Sequence, residues 1–151
     1  MKKVTPFLWF DTQAEEAMNY YVSVFKNAKV LGVSRGSDGK AFTVSFELDG
    51  QEFMGLNAGP MFKFNEAVSM YVNCEDQTEV DYFWSKLSAD PESEQCGWCK
   101  DQFGLSWQII PKQLGELLGD PDPEKSGRVM QAMLQMKKIV VADLQKAHDG
   151  E

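Results

Sequence analysis

Residues 97–111 read Gly97-Trp98-Cys99-Lys100-Asp101-Gln102-Phe103-Gly104-Leu105-Ser106-Trp107-Gln108-Ile109-Ile110-Pro111. Two of the four tryptophans fall in this stretch. A turn signal, Asp101-Gln102-Phe103-Gly104, sits in its middle, and a β-rich apolar run follows. A strand, a glycine turn and a second strand predict a hairpin whose second arm is buried. Tryptophans beside polar Gln108 suggest that the hairpin lines a small-molecule pocket.

Upstream, the first third of the chain reads strand, helix and three strands. Val4 to Phe10 is β-rich and stops at Asp11. Thr12-Gln13-Ala14-Glu15 has the capping-box pattern, and Ala14, Ala17, Met18, Tyr21, Val22 and Phe25 recur at helical spacing. Lys29 to Arg35 reads as a strand. Phe42, Val44, Phe46 and Leu48 alternate with polar residues, as in a half-buried strand. Asp49-Gly50 then signals a tight hairpin into Gln51–Asn57. After a loop over 58–67, Val68–Cys74 is a strand and Thr78–Leu87 a helix. Strand, helix and strands thus recur, as a repeat of architecture and not of residues. The second copy is the shorter, because Ser88–Gln95 is polar and interrupted by Pro91. Downstream, Leu114, Leu117 and Leu118 predict a short helix. Asp120-Pro121-Asp122-Pro123 is a rigid turn. A helix with Val129, Met130, Met133, Leu134 and Met136 follows, interrupted near Ile139–Val141 before a last turn to Ala147. The expected organisation is an α+β domain with module one at 1–60, module two at 66–111 and a helical extension at 112–151.

Composition narrows the function. At 151 residues with 43% hydrophobic and 25% charged content, the chain can bury a normal core. A net charge of −8 argues against nucleic acid, because phosphate binding needs a basic face. No apolar run approaches the roughly 18–20 residues of a membrane span. The first residues, with two lysines and a run that stops at Asp11, lack the cleavage pattern of a signal peptide. Three cysteines are an odd count, which points to a reducing compartment and a cytoplasmic protein.

Chemistry-bearing motifs are few. Cys96-Gly97-Trp98-Cys99 has the redox spacing but precedes a turn and a strand, not a helix N-terminus. On a strand its cysteines would face opposite sides. His148, the only histidine, lies near the C-terminus, where fraying is common. One histidine there leaves no Ser-His or Cys-His nucleophile scheme. No glycine-rich phosphate loop occurs. The Met-rich face reads as core or subunit packing. The acidic residues at helix starts and turns read as a solvated face. What stands out is an aromatic set: Phe7, Trp9, Phe42, Phe53, Phe62, Phe64, Tyr71, Trp98 and Trp107.

Several strings resemble one family. They are Phe7-Leu8-Trp9-Phe10 with Ala14-Glu15-Glu16-Ala17; Gly55-Leu56-Asn57-Ala58-Gly59-Pro60; Gln95-Cys96-Gly97-Trp98; Lys100 to Ile109; and Arg128 to Leu134. The chain resembles the PhnB-like branch of the vicinal oxygen chelate superfamily (glyoxalase, bleomycin-resistance protein and dioxygenase fold), members of which carry the label 3-demethylubiquinone-9 3-methyltransferase. The resemblance implies paired βαβββ modules, each a cupped mixed sheet, in a homodimer. The methyltransferase activity is not carried over, because no glycine loop for S-adenosylmethionine is present. In metal-using relatives, ligands stand on the first and last strands of each module. Those places correspond here to Thr5 or Pro6, Met54 or Gly55, Ser69, and Gln108. They offer no imidazole and no carboxylate.

The expectation is therefore a metal-independent protein without a cofactor that binds an apolar or aromatic small molecule. The expected pocket comprises Phe7, Trp9, Met54, Asn57, Ser69, Tyr71, Trp98, Trp107 and Gln108. Partners are a second copy of the chain, with no nucleic acid and no membrane. The alternatives are a lyase, isomerase or dioxygenase with a divergent metal site, and a partner-binding dimer joined through the Met-rich tail.

Overall fold

The computed structural model describes residues 2–151. Its contacts divide the chain into two units, Met1–Phe64 and Asn65–Glu151.

The first unit runs β1 (Phe7–Phe10), α1 (Ala14–Val24), β2 (Ala28–Arg35), β3 (Ala41–Leu48) and β4 (Gln51–Asn57). Sheet order is β1-β4-β3-β2. β1 is parallel to β4, and the other pairs are antiparallel. The β3–β4 turn has Asp49 at φ 47° and Gly50 at φ 84°. Two positive φ values match the twist of a tight hairpin, which is why an Asp-Gly pair stands there. The two-residue period sends Leu8, Phe10, Val44, Phe46, Leu48 and Phe53 to one face. That face is buried against Ala14, Ala17, Met18, Tyr21 and Val24 of α1. Each large side chain buried there contributes about 1.5–3 kcal/mol.

The capping box expected at Thr12–Glu15 does not form. Gln13 takes the N-cap position and its side chain makes no cap bond. Asn57, at the end of β4, supplies the acceptor instead: its Oδ1 accepts from Ala14 N at 2.8 Å.

The second unit runs β5 (Ser69–Cys74), α2 (Gln77–Leu87), β6 (Trp98–Lys100) and β7 (Ser106–Pro111), then α3 (Lys112–Leu118), α4 (Pro123–Leu134) and α5 (Val141–Asp149). Sheet order is β5-β7-β6, with β5 parallel to β7 and β6 antiparallel. Asp76 caps α2, accepting from Glu79 N at 3.0 Å. The strand equivalent to β2 is missing. A 3₁₀ turn at Pro91–Ser93 and an isolated Gln95–Trp98 bridge take its place. Pro91 cannot donate to a ladder, and Asp90 closes the turn by accepting from Glu92 N. The short second copy expected from Ser88–Gln95 is observed.

α3 starts directly after β7. Ile110, Leu114, Val129, Ile139 and Leu144 form one buried cluster, with Leu117, Leu118, Met133 and Met136 packed on it. Met133 and Met136 therefore fill core, whereas Met130 is exposed. The α4–α5 connection binds the turn that precedes β6. Cys96 N donates to Met136 O and Gly97 N to Lys137 O, each at 2.8 Å, and Gln95 Nε2 donates to Leu134 O at 3.0 Å. Gln77 of α2 grips the same connection at both ends of its amide. Its Nε2 donates to Ile139 O, and its Oε1 accepts from Val141 N. Among the described residues no helix is long and apolar enough to cross a membrane.

Candidate functional site

The two-residue period of the strands sorts the expected pocket residues by face. In the second unit, Tyr71 of β5 pairs with Gln108 of β7, and Gln108 pairs with Trp98 of β6. Paired residues share a face, so Tyr71, Gln108 and Trp98 form a row across the sheet. Ser69 lies two residues before Tyr71, on the same face, and its Oγ accepts from Gln108 Nε2 at 3.0 Å. Tyr71 is 60% exposed. Beside Trp98 lies a cavity of about 410 Å³, lined by Glu66, Ser93, Gln95, Cys96 and Lys100 among others. Lys100 ion-pairs with Glu66 and holds its carboxyl below the usual carboxylate range, chiefly through their hydrogen bond. Sequence reasoning missed this pair; nothing in a surface lysine and a loop glutamate far apart in the chain marks them as partners.

Trp107 stands on the opposite face from Gln108 and is only 2% exposed. Its Nε1 donates to Asp101 Oδ2 at 2.8 Å. It is a core residue on the α2 side of the sheet, not part of the open row. Asp101 is 4% exposed, and its Oδ1 accepts from Phe103 N at 2.8 Å and Leu105 N at 3.1 Å. Asp101 thus ties the β6–β7 turn to the indole. The turn signal was visible in the sequence, but the bond to Trp107 was not.

In the first unit, Phe7 and Met54 are register partners on the face away from α1. Trp9 shares that face. It donates from Nε1 to Gly59 O at 2.9 Å and meets the Phe62 ring edge-on, with centroids 4.9 Å apart. Asn57 falls on the α1 side. Both ends of its amide are engaged, Oδ1 by Ala14 N and Nδ2 with Ala41 O at 3.1 Å. That pairing makes it a helix cap rather than a group reaching for a ligand. Asn57→Ala is expected to destabilise the protein by about 1–2 kcal/mol, because Ala14 N loses its only side-chain acceptor. Thermal melting checks this: a Tm equal to wild type would remove the capping role. A larger hollow of about 810 Å³ lies beside Arg35 and the β2–β3 turn. There the Arg35 guanidinium is already engaged, Nη2 to Glu15 Oε2 at 2.6 Å.

Two of the three cysteines are poor redox groups. Cys74 and Cys99 are buried, and burial pushes each thiol up to about 12. Cys96 does not lie on β6 as the spacing suggested. It occupies the preceding turn at φ 52°.

The metal places that the resemblance implies carry weak donors. Thr5 offers a buried hydroxyl without a hydrogen-bond partner. Met54 presents a thioether, and Ser69 and Gln108 are bonded to each other. Among the described residues no group of three His, Cys, Asp or Glu side chains is placed to hold a metal ion. Neutral hydroxyl and amide oxygens without carboxylate or imidazole do not fit a tightly held divalent ion.

The chain has clear relatives. The 3-demethylubiquinone-9 3-methyltransferase family matches residues 2–110, so the match stops just before the tail. A solved PhnB protein from Bacillus cereus with the same methyltransferase label is 35% identical, with a TM-score of 0.64, over 73% of this chain and 99% of that one. A Pseudomonas aeruginosa protein, 14% identical with a TM-score of 0.57 over 74% of this chain and 98% of its own, shares the fold. A glyoxylase/bleomycin resistance protein/dioxygenase domain from Frankia is 13% identical, with a TM-score of 0.46 over 74% of this chain and 92% of its own. No curated protein matches. With its βαβββ unit, its shortened second copy and the matched residues 2–110, the chain belongs to the 3-demethylubiquinone-9 3-methyltransferase family, with a PhnB protein among its relatives.

Proposed function

We propose that the protein binds a flat, largely apolar small molecule against the Tyr71–Gln108–Trp98 row without using a metal. The observation that carries this is the row itself. Two aromatic side chains flank one amide across three adjacent strands, with Ser69 bonded to that amide. Aromatic walls supply contact area, and one polar pair fixes orientation, which is the usual composition of a small-ligand site. The donor set at the fold's metal places supports binding without an ion. Phe7, Trp9 and Met54 form a second apolar patch on one face of the first unit's sheet. In this reading the protein is a cytoplasmic homodimer.

Tryptophan fluorescence titrated with aromatic metabolites and drug-like ring compounds tests the reading. For a compound that quenches wild type, Trp98→Ala is expected to weaken binding about tenfold or more, and Gln108→Ala several-fold. Unchanged affinity in both variants would sink the row as the binding face. Stoichiometric metal in protein purified without chelator would overturn the metal-free part.

A further inference from the structure

The tail begins where the family match ends, and it holds the only histidine. That histidine is not frayed, contrary to the expectation for a terminus. Its side chain is 15% exposed. Nε2 lies 2.7 Å from Asp120 Oδ2, in the α3–α4 turn, and Nδ1 lies 3.3 Å from Asp149 Oδ1. A neutral imidazole has one N–H and one lone pair, so it can serve only one carboxylate. Both contacts are hydrogen bonds only when the ring carries two protons. Arg128 of α4 closes the same end of α5, donating from Nε to Ala147 O and from Nη2 to His148 O, each at 2.7 Å. Gly150, at φ 83°, caps the helix. A cationic ring and a guanidinium at a helix C-terminus also favour the helix dipole.

We propose that the three-helix tail is an acid-strengthened brace for the Trp98 side of the binding face, locked by His148 between Asp120 and Asp149. The connection between the clasp and the face is continuous. Leu144 of α5 and Ile139 of the α4–α5 connection share one buried cluster. The same connection carries the carbonyls of Met136 and Lys137, which hold the amides of Cys96 and Gly97. Trp98 is the next residue. The brace takes its functional meaning from the reading of the Trp98 row as the binding face.

The pH window follows from the charges. Hydrogen bonds to Asp120 and then Asp149 hold His148 above its ordinary 6.5. A raised pKa means the contribution is complete below about 6.5 and is lost as pH rises through the raised value. Asp149, held down chiefly by His148, and Asp120, held down chiefly by Asp122 N–H and then His148, lie below their ordinary 3.8. Their contribution is lost as pH falls through those lowered values. The clasp is therefore strongest in the mildly acidic range between. Lys125 of α4 opposes the histidine charge, and Arg128 is engaged with carbonyls. α3 brings Lys112, paired with Glu75, and exposed Glu116; α5 itself carries Asp143 and Lys146.

Two ligand-free measurements on the full chain test the brace. The ring resonances of the single histidine, followed by NMR, should titrate above the ordinary value in wild type and move back toward it in Asp120→Asn. Hydrogen exchange of the Cys96 and Gly97 amides, corrected for intrinsic rate, should show protection about two- to fivefold higher near about pH 5.5 than near about pH 8.5. His148→Gln should abolish that difference. Protection independent of pH in wild type, or an unchanged dependence in His148→Gln, would overturn the proposal. A failure to find any ligand at the Trp98 row leaves these readouts unaffected, so the two failures are distinguishable.

Discussion

Asp101→Ala is expected to cost about 3–5 kcal/mol and to lower Tm by about 8–15 °C. Three N–H groups lose their acceptor together: Phe103 N, Leu105 N and Trp107 Nε1. They surround a carboxyl that is only 4% exposed, so water cannot easily replace it. Each donor stranded in such a place costs about 1–3 kcal/mol, partly recovered by relaxation. Asp101→Asn keeps the shape and one acceptor oxygen, and should lose roughly half as much. Chemical denaturation of both variants separates shape from charge. A Tm drop in Asp101→Ala of less than about 2 °C would mean that the turn holds without its carboxylate.

Gly97→Ala comes next, at about 3 kcal/mol. Gly97 adopts φ +85°, and a Cβ built there would lie 2.7 Å from Ile110 Cδ1, 3.1 Å from Ile139 Cγ1 and 3.2 Å from Ile109 O. The left-handed backbone alone costs an L-residue about 1–2 kcal/mol, and displacing packed isoleucines adds about 1–3 kcal/mol. Gly104→Ala separates the two effects. Gly104 has φ +86° but open space where a Cβ would stand. That variant should lose only about 1 kcal/mol, from backbone strain alone. Equal losses at the two glycines would show that Ile110 and Ile139 do not press on the Gly97 turn.

What could be read from residues alone was governed by periodicity. The alternation in 42–48 and the Asp-Gly pair place β3, its turn and β4 almost to the residue, because a half-buried strand writes its two faces directly into sequence. Ser88–Gln95 was legible as a missing strand for the same reason: Pro91 and a run of polar groups have no face to bury. The candidate site was legible only in part. Ser69, Tyr71, Trp98 and Gln108 share an open face, but Trp107 and Asn57 do not. Aromatic content says nothing about which way a strand faces, and a one-residue step moves an indole from pocket to core. The roles of Asn57 and His148 were hidden because their partners, Ala14 and Asp120, lie far away in the chain. No local rule reports such pairings.

The parallel pairing of β1 with β4 and of β5 with β7 has a consequence for how the chain assembles. In each unit the first strand must wait for a partner made much later along the chain, with a helix between them. The β3–β4 and β6–β7 hairpins close short loops and cost little chain entropy. Loop-closure entropy therefore favours an assembly in which β1 and β5 join hairpins already formed, against the order of synthesis.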